Sequence, residues 1–453
     1  MNALSAGSAS IDITPPLTIP FLGLIPRHSF FEGVHDLLFA KAVVIDSCER
    51  RIAIVSADSI GFRKDLFGKG RDFIAEVREE VEQACGIPSS HIMICATHAH
   101  STPETIGIRN LADHPGTLEW LETLKGQIAS AVIQADRNRS PARLVVRSTQ
   151  VEDVAHSRRM VGRDGDLLWL AARPDPELVS DWGASDPELT VLCLQTEDGE
   201  PRTVLMHFAC HPVTVQVQPL VSADFPGTAS RLVEQELEGC DHCIFIQGAA
   251  GNINPVGGST KDFDDVDRYG RILADKTIGL LKQSSNPEPA SALEVDAVSE
   301  VVKLPSRDIP ALQPIEEEEQ RARDKIEKTS DSEERLNAQH RLRRITEQVE
   351  RVRRGDAPQP AEIQAIRLGN VSLVGIPGEP FTEIGLELKK GSGPERTLVA
   401  GYANDWLGYL APQSAWDLGG YEVDLGTWSI VGPEAFDIIL ETAGKLVSRM
   451  WTE

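Results

Sequence analysis

Apolar runs and 3.6-residue periodicities alternate along this chain and divide it into strands and helices before any chemistry is considered. Residues 33–46 and 52–58 are apolar runs that read as strands. From 64 to 85 the pattern turns amphipathic, with Phe73, Val77 and Val81 at helical spacing, and it stops at Gly86-Ile87-Pro88. The run 91–94 is a third strand. A helix from about 118 to 138 follows, with Trp120, Leu121, Leu124, Ile128 and Val132 on one face. Strand–helix–strand–helix order points to α/β layering.

Short strands are expected at 142–147, 189–194 and 204–212, and another at 243–246. A helix to about 238 has Asp224 placed as its N-cap and Pro226 in its first turn, and a further helix spans 265–282. Residues 361–368 and 371–376 read as a hairpin around Gly369-Asn370, followed by a helix to 390, a strand at 397–402 and a closing helix from 434 to 450. Residues 1–30 carry Pro15, Pro16, Pro20 and Pro26 and read as an extended, irregular lead-in. The tract 315–354 is helical, densely charged and sparsely apolar (Ile326, Leu336, Leu342, Ile345, Val349). It is expected to be a solvated helical hairpin or arm that either covers a face or meets a second copy in a homo-oligomer. The expected architecture is α/β: a mixed-sheet, layered catalytic domain over residues 1–453, with helices on the faces and a helical insertion near 315–354.

Charge narrows the function. A net charge of −24 over 453 residues argues against nucleic acid as a partner and against electrostatic docking on anionic membranes. A small-molecule substrate stays open, because a metal or a local arginine can reverse the field inside a pocket. The first ten residues lack a basic and then apolar leader, and no apolar run is long enough to span a bilayer, so no membrane anchor is expected. Seven cysteines without an even framework suggest reduced thiols and a cytoplasmic location. Cys240-Asp241-His242-Cys243 has CxxC spacing but stands alone and opens a strand, so a structural role outweighs a metal or redox one.

Several strands end in coordinating groups. Cys95-Ala96-Thr97-His98-Ala99-His100-Ser101 closes one strand, His211 closes another, Glu379 follows a third, and Tyr409 sits in a polar loop. Two or three histidines with one carboxylate form the ligand set of a catalytic zinc ion with an open position. Each residue alone has a plainer reading. A strand-end histidine is usually a hydrogen-bonded structural residue, Glu379 would suit a helix N-terminus, and Tyr409 would suit packing. Asp58 and Asp224 are either caps, groups supporting the ligands, or ligands of a second metal.

Five segments in order resemble the catalytic domain of the neutral/alkaline ceramidase family: the stretch beginning Gly33-Val34-His35-Asp36, then Ala96-Thr97-His98-Ala99-His100-Ser101, Phe208-Ala209-Cys210-His211-Pro212, residues 247–255, and Pro377-Gly378-Glu379. The resemblance implies an α/β fold with one zinc ion held by His98, His211, Glu379 and Tyr409. It also implies that His100, Arg158 and Tyr421 face the substrate. Tyr421 follows Tyr409 by the spacing of the family's two site tyrosines. The family's essential serine aligns with Gly248 here. The secreted members' C-terminal sandwich domain and signal peptide have no counterpart, which suggests a shorter, intracellular branch.

The reading that results is a zinc-dependent hydrolase of a C–N amide bond, acting on a small N-acyl or amide substrate rather than ceramide. Arg158 would hold a substrate carboxylate and His100 would shuttle protons or stabilise an oxyanion. A metal-dependent esterase or lactonase, and a non-catalytic binding protein, are the alternatives.

Overall fold

The computed structural model describes residues 4–21, 30–47, 50–108, 111, 114–169, 173–283, 293–329, 332–391 and 393–452. Residues 22–29, part of the expected lead-in, lie outside the described residues. The chain forms a mixed α/β structure with three principal sheets. The first has the strand order Ile92–Ala96, Arg50–Ala57, Phe39–Ser47, Ser5–Asp12, Ser140–Pro141. The second runs His242–Gln247, Pro201–Phe208, Glu188–Gln195, Arg143–Gln150, and the third Val295–Leu304, Gln359–Leu368, Val371–Gly375, Arg396–Ala400.

Side chains alternate between the two faces of a strand, so one apolar set from each sheet can turn inward. Val43, Ile54 and Met93 of the first sheet, Leu192 and Ile244 of the second, and Ile366 and Leu373 of the third share one buried cluster. The opposite faces take helices. Phe73–Cys85 and Thr117–Arg137 cover the first sheet, Asp224–Glu236 and Phe263–Lys282 the second, Thr382–Lys389 and Glu434–Thr452 the third. Strand runs buried on both sides therefore read as continuous apolar stretches rather than alternating ones.

Each sheet contains one parallel pair in an otherwise antiparallel ladder: Arg50–Ala57 with Ile92–Ala96, Pro201–Phe208 with His242–Gln247, and Val371–Gly375 with Arg396–Ala400. The C-terminal ends of these pairs carry the motif residues. Open α/β sheets place ligands at such ends.

Four local expectations are corrected. Part of the lead-in is a strand, Ser5–Asp12, paired along its length with Phe39–Ser47. Its small residues reflect a close approach: a Cβ on Gly7 would lie 2.6 Å from the Arg139 nitrogen, where the helix Thr117–Arg137 ends against the strand. The run 33–46 divides into Gly33–Val34 and Phe39–Ser47. The segment 64–85 breaks into a short turn of helix, Lys64–Phe67, and the helix Phe73–Cys85, because Gly68 and Gly70 adopt positive φ between them. Asp224 is the first residue inside its helix, not the N-cap, and its φ is 54°.

The charged tract is a hairpin of two helices, Leu312–Lys328 and Ser332–Arg353. Ala322, Ile345 and Val349 form its small core, and Arg341–Glu318 and Arg353–Glu316 ion pairs cross between the helices. It covers a face of its own chain: Arg351 donates to the carbonyls of Ser429 (2.9 Å) and Ile430 (2.8 Å), and Arg344 pairs with Asp424. Among the described residues no helix is long and apolar enough to cross a membrane.

Candidate metal centre

The three parallel strand pairs converge, and each supplies one candidate ligand and one group that orients a ligand. After Ile92–Ala96 comes His98, whose φ of 67° puts a non-glycine residue in the left-handed region. That conformation costs about 1–2 kcal/mol and persists only where the surroundings enforce it. His98 Nδ1 donates to the Ile60 carbonyl (2.5 Å), which lies just past the neighbouring strand Arg50–Ala57. His211 follows Pro201–Phe208, and its Nδ1 donates to the Ala250 carbonyl (2.6 Å), just past His242–Gln247. Glu379 follows Val371–Gly375. Its Oε1 accepts from Trp406 Nε1 at 3.2 Å, and Trp406 lies beyond the neighbouring strand Arg396–Ala400.

A carbonyl can only accept, so both Nδ1 atoms carry a proton, and in the neutral imidazole each Nε2 then presents a lone pair. Those lone pairs face one another: His98 Nε2 lies 3.2 Å from His211 Nε2 and 3.2 Å from His100 Nε2. Glu379 Oε2 stands 3.1 Å from His211 Nε2 and 3.4 Å from His98 Nε2. All four side chains are buried. Acceptors pressed together away from water are stable only with a cation or protons among them. Charge states agree with this. Burial, and then the Arg158 charge, push His211 down to about 4, so it is neutral. Burial would raise Glu379, but His98 and His211 outweigh it and hold the carboxyl well below its usual range. Neutral imidazoles and an ionised carboxylate are the forms that bind a metal. Among the described residues the one group of histidines and acids with metal-ligand spacing is His98, His100 and His211, their ligand atoms within 4.8 Å of one another.

Asp58 and Asp224 do not join that group. Asp58 Oδ2 accepts from the Phe39 nitrogen (2.9 Å), and Asp224 accepts from Phe225 (2.7 Å) and Val215 (3.3 Å). Backbone donors of this kind belong to supports of the surrounding loops. The Cys240 and Cys243 thiols are likewise buried and outside any such cluster.

Tyr409 pairs with Glu379 in a short parallel bridge, and its hydroxyl accepts from Arg158 Nη2 at 3.0 Å. Tyr421 meets Tyr409 edge-on at 5.9 Å and stacks on Trp428 at 4.6 Å. Tyr421 is half-buried where Tyr409 is buried, so it offers the more accessible hydroxyl. Arg158 lies against Tyr409. Its guanidinium donates to Glu422 Oε1 (2.8 Å), Asn254 Oδ1 (3.2 Å) and the Gly251 carbonyl (2.8 Å) as well as to Tyr409. Four of the roughly five N–H directions an arginine offers are thereby committed to the protein. These contacts tie it to Tyr409 and to the 251–254 turn.

Three side chains here had no assigned part in the sequence. Tyr402 stacks on the His98 ring at 3.9 Å and 17°, and its buried hydroxyl has no partner among the described residues. Trp406 holds Glu379, as described. Gln247 bridges two ligand loops, donating to Thr97 O (3.0 Å) and Cys210 O (2.8 Å) and accepting from the Cys210 nitrogen (3.0 Å). The usable signal was a polar or aromatic residue just beyond an apolar strand, the same rule that picked out the histidines. Gly248, beside Gln247, is closed to any side chain: a Cβ there would lie 2.8 Å from Ala209 Cβ.

A family model described as neutral/alkaline non-lysosomal ceramidase, N-terminal, matches residues 4–262. Neutral ceramidase B of Dictyostelium discoideum is 23% identical over 215 residues, covering 46% of this chain and 28% of that protein. Neutral ceramidase A of the same organism is 23% identical over 247 residues, covering 52% of this chain and 33% of that protein. The matches thus span a third or less of these relatives' own length. The crystal structure of neutral ceramidase from Pseudomonas aeruginosa superposes with a TM-score of 0.70 at 19% identity, covering 100% of this chain and 75% of that one. A ceramidase complexed with C2 gives a TM-score of 0.71 at 17% identity, over 99% of this chain and 75% of that one. Likeness at this identity shows a shared fold.

Proposed function

Because this chain belongs to the neutral/alkaline non-lysosomal ceramidase family, we propose that it is a zinc-dependent hydrolase of a C–N amide bond in a small N-acyl or amide substrate rather than ceramide. The observation that carries the metal is the set of facing acceptors: two Nε2 lone pairs fixed by backbone carbonyls, with Glu379 Oε2 closing on both. Nitrogen and carboxylate donors suit zinc, and His98, His211 and Glu379 would hold it, with Tyr409 as the fourth ligand. Bound there, zinc supplies a Lewis acid that polarises a carbonyl and brings a water to a pKa of about 7.

The protein's own groups do the rest. Arg158 holds the Tyr409 hydroxyl toward the centre, and the Arg158 charge is fixed in turn by Glu422. His100 stands against His98 and would take the proton from the attacking water and return it to the leaving amine. Tyr421 would donate to the developing oxyanion from the open side. Gln247, Ile60 and Ala250 keep the ligand loops in register, the outer support that metal ligands require. Gly248 supports the choice of substrate, since the position that aligns with the ceramidase serine has no room for a hydroxymethyl group.

The test is metal content and turnover together. Purified protein should contain about one zinc per chain, and His98→Ala, His211→Ala and Glu379→Gln should each lower it. A panel of N-acyl amino acids, short-chain ceramides and matching esters should show amide cleavage that favours the small substrates. Stoichiometric zinc in both histidine variants would remove the metal reading. Preference for the esters would move the reaction class.

A further inference from the structure

A cavity of about 540 Å³ lies away from the histidine cluster, between the end of the helical hairpin and the turn at 63–69. Arg63, Lys69, Arg351, Arg353 and Arg354 line it, against one carboxylate, Asp65. Arg63 pairs with Asp65 and Arg353 with Glu316. Lys69, Arg351 and Arg354 have no carboxylate within 4.0 Å among the described residues. In a chain of net charge −24 such a concentration of cations without a directly paired carboxylate runs against the average field, although Glu104, Glu350 and Asp356 act on it from farther off, and a cleft focuses it.

Arg351 is the most telling of these residues. It is buried, and its guanidinium donates only to neutral acceptors: the carbonyls of Ser429, Gly355 and Ile430 and the Ser306 hydroxyl, all at 2.8–2.9 Å. Its hydrogen bonds are met by neutral groups, with Asp356 acting on its charge only from a distance, and buried charges are ordinarily paired directly. Burial, and then repulsion from Arg307 and Arg354, push its pKa down to about 10.

We infer that this cavity is a binding site for a small polyvalent anion, a molecule bearing phosphate or several carboxylates, held by Lys69 and Arg354, with the buried charge of Arg351 behind them. Its volume fits a metabolite-sized ligand, and three unpaired cations call for more than one negative charge. A charged polymer is disfavoured by the acidic remainder of the surface. Both walls lead toward the histidine cluster. On one side Arg354 donates to the Gly107 carbonyl (2.7 Å), and the Arg63 nitrogen donates to the Thr105 carbonyl (3.0 Å), three residues past Ile60, which orients His98. On the other, Arg351 grips Ser429, and the carbonyl of the adjacent Trp428 accepts from the Tyr409 nitrogen (3.1 Å). An anion in the cavity would hold these two walls together.

The test is isothermal titration calorimetry of the full chain with inorganic phosphate and with citrate, at ionic strength fixed by sodium chloride. One saturable site is expected for at least one of them, and which anion binds tighter separates a phosphate ligand from a carboxylate one. Arg354→Gln and Lys69→Gln should each weaken it by about tenfold or more, while Lys445→Gln, an exposed cation elsewhere, should leave it unchanged. Circular dichroism and zinc content should not move in the two cavity variants. Absence of saturable heat with both anions, or equal binding by the cavity variants and the wild type, would overturn the proposal. Binding is read without turnover, so the outcome is independent of the hydrolase reading.

Discussion

Replacing Glu422 with glutamine removes one buried negative charge and leaves two guanidinium groups facing it. In the intact protein Glu422 Oε1 accepts from Arg158 Nε at 2.8 Å and Oε2 from Arg159 Nη1 at 2.6 Å, with the Glu422 side chain fully buried. Burial alone would raise its pKa, but Arg158 and Arg159 overcome that and hold it below the ordinary range. A carboxylate lowered in this way contributes stability at neutral pH that is lost as pH falls through its folded pKa. Breaking a buried pair by removing one partner costs roughly 3–5 kcal/mol. Glutamine keeps one acceptor oxygen, so about 3 kcal/mol is expected for Glu422→Gln, more than a hundredfold in the unfolding equilibrium. The loss should also reach the metal centre, because Arg158 donates to the Tyr409 hydroxyl at 3.0 Å. Urea unfolding of the two proteins at about pH 7.5 measures the first effect. The gap should narrow as pH falls toward the acid range, where the wild-type carboxyl also takes a proton. Turnover at saturating substrate measures the second and should fall more than KM rises. A stability change under about 1 kcal/mol with unaltered turnover would refute the view that this pair is buried, charged and coupled to Tyr409.

Two further substitutions test other parts of the fold. Burial, opposed in part by Lys41, raises Asp58 to about 7, so the folded state holds its proton where the unfolded chain has lost it. Stability from this group is present below about pH 4 and lost as pH rises through 7, by an amount on the order of 4 kcal/mol. Asp58→Asn keeps the acceptor for the Phe39 nitrogen, so it should flatten the loss between about pH 4 and pH 7 in thermal unfolding; parallel profiles for the two proteins would count against it. Gly248→Ser forces its Cβ against Ala209, a contact of 2.8 Å to Ala209 Cβ. It should destabilise by about 1–3 kcal/mol and should not raise ceramide cleavage; a stable variant with gained ceramidase activity would refute the packing account.

Local periodicity carried most of the helices. The spacing of Trp120, Leu121, Leu124, Ile128 and Val132 and the stop at Gly86 are properties of neighbouring residues, and the structure follows them. Strands were legible where β-branched residues cluster, as in Arg50–Ala57. The strand Ser5–Asp12 was not, because its small residues are chosen by contact with a helix more than a hundred positions away. The metal centre divided in the same way. A His-x-His at a strand end is visible in one segment, whereas the Trp406 donor to Glu379 and the Tyr402 ring on His98 exist only once separate sheets meet. The partners of Arg158 are hidden from the sequence for a related reason: Glu422, Asn254 and Gly251, which accept from its guanidinium, come from distant loops.

Because each of the three parallel strand pairs contributes one ligand and one orienting group, metal binding would report on the order in which the sheets dock. His98, His100 and His211 come from the first half of the chain and Glu379 from the second. Contacts this far apart in sequence form late, after the entropy of closing long loops has been met. A folding intermediate with the first two sheets docked would hold three imidazoles and no carboxylate. It would bind a cation weakly and exchange it quickly. Full affinity would arrive only when the third sheet closes. The appearance of slow metal exchange during refolding would therefore time the last docking event of the fold, with no probe attached to the chain.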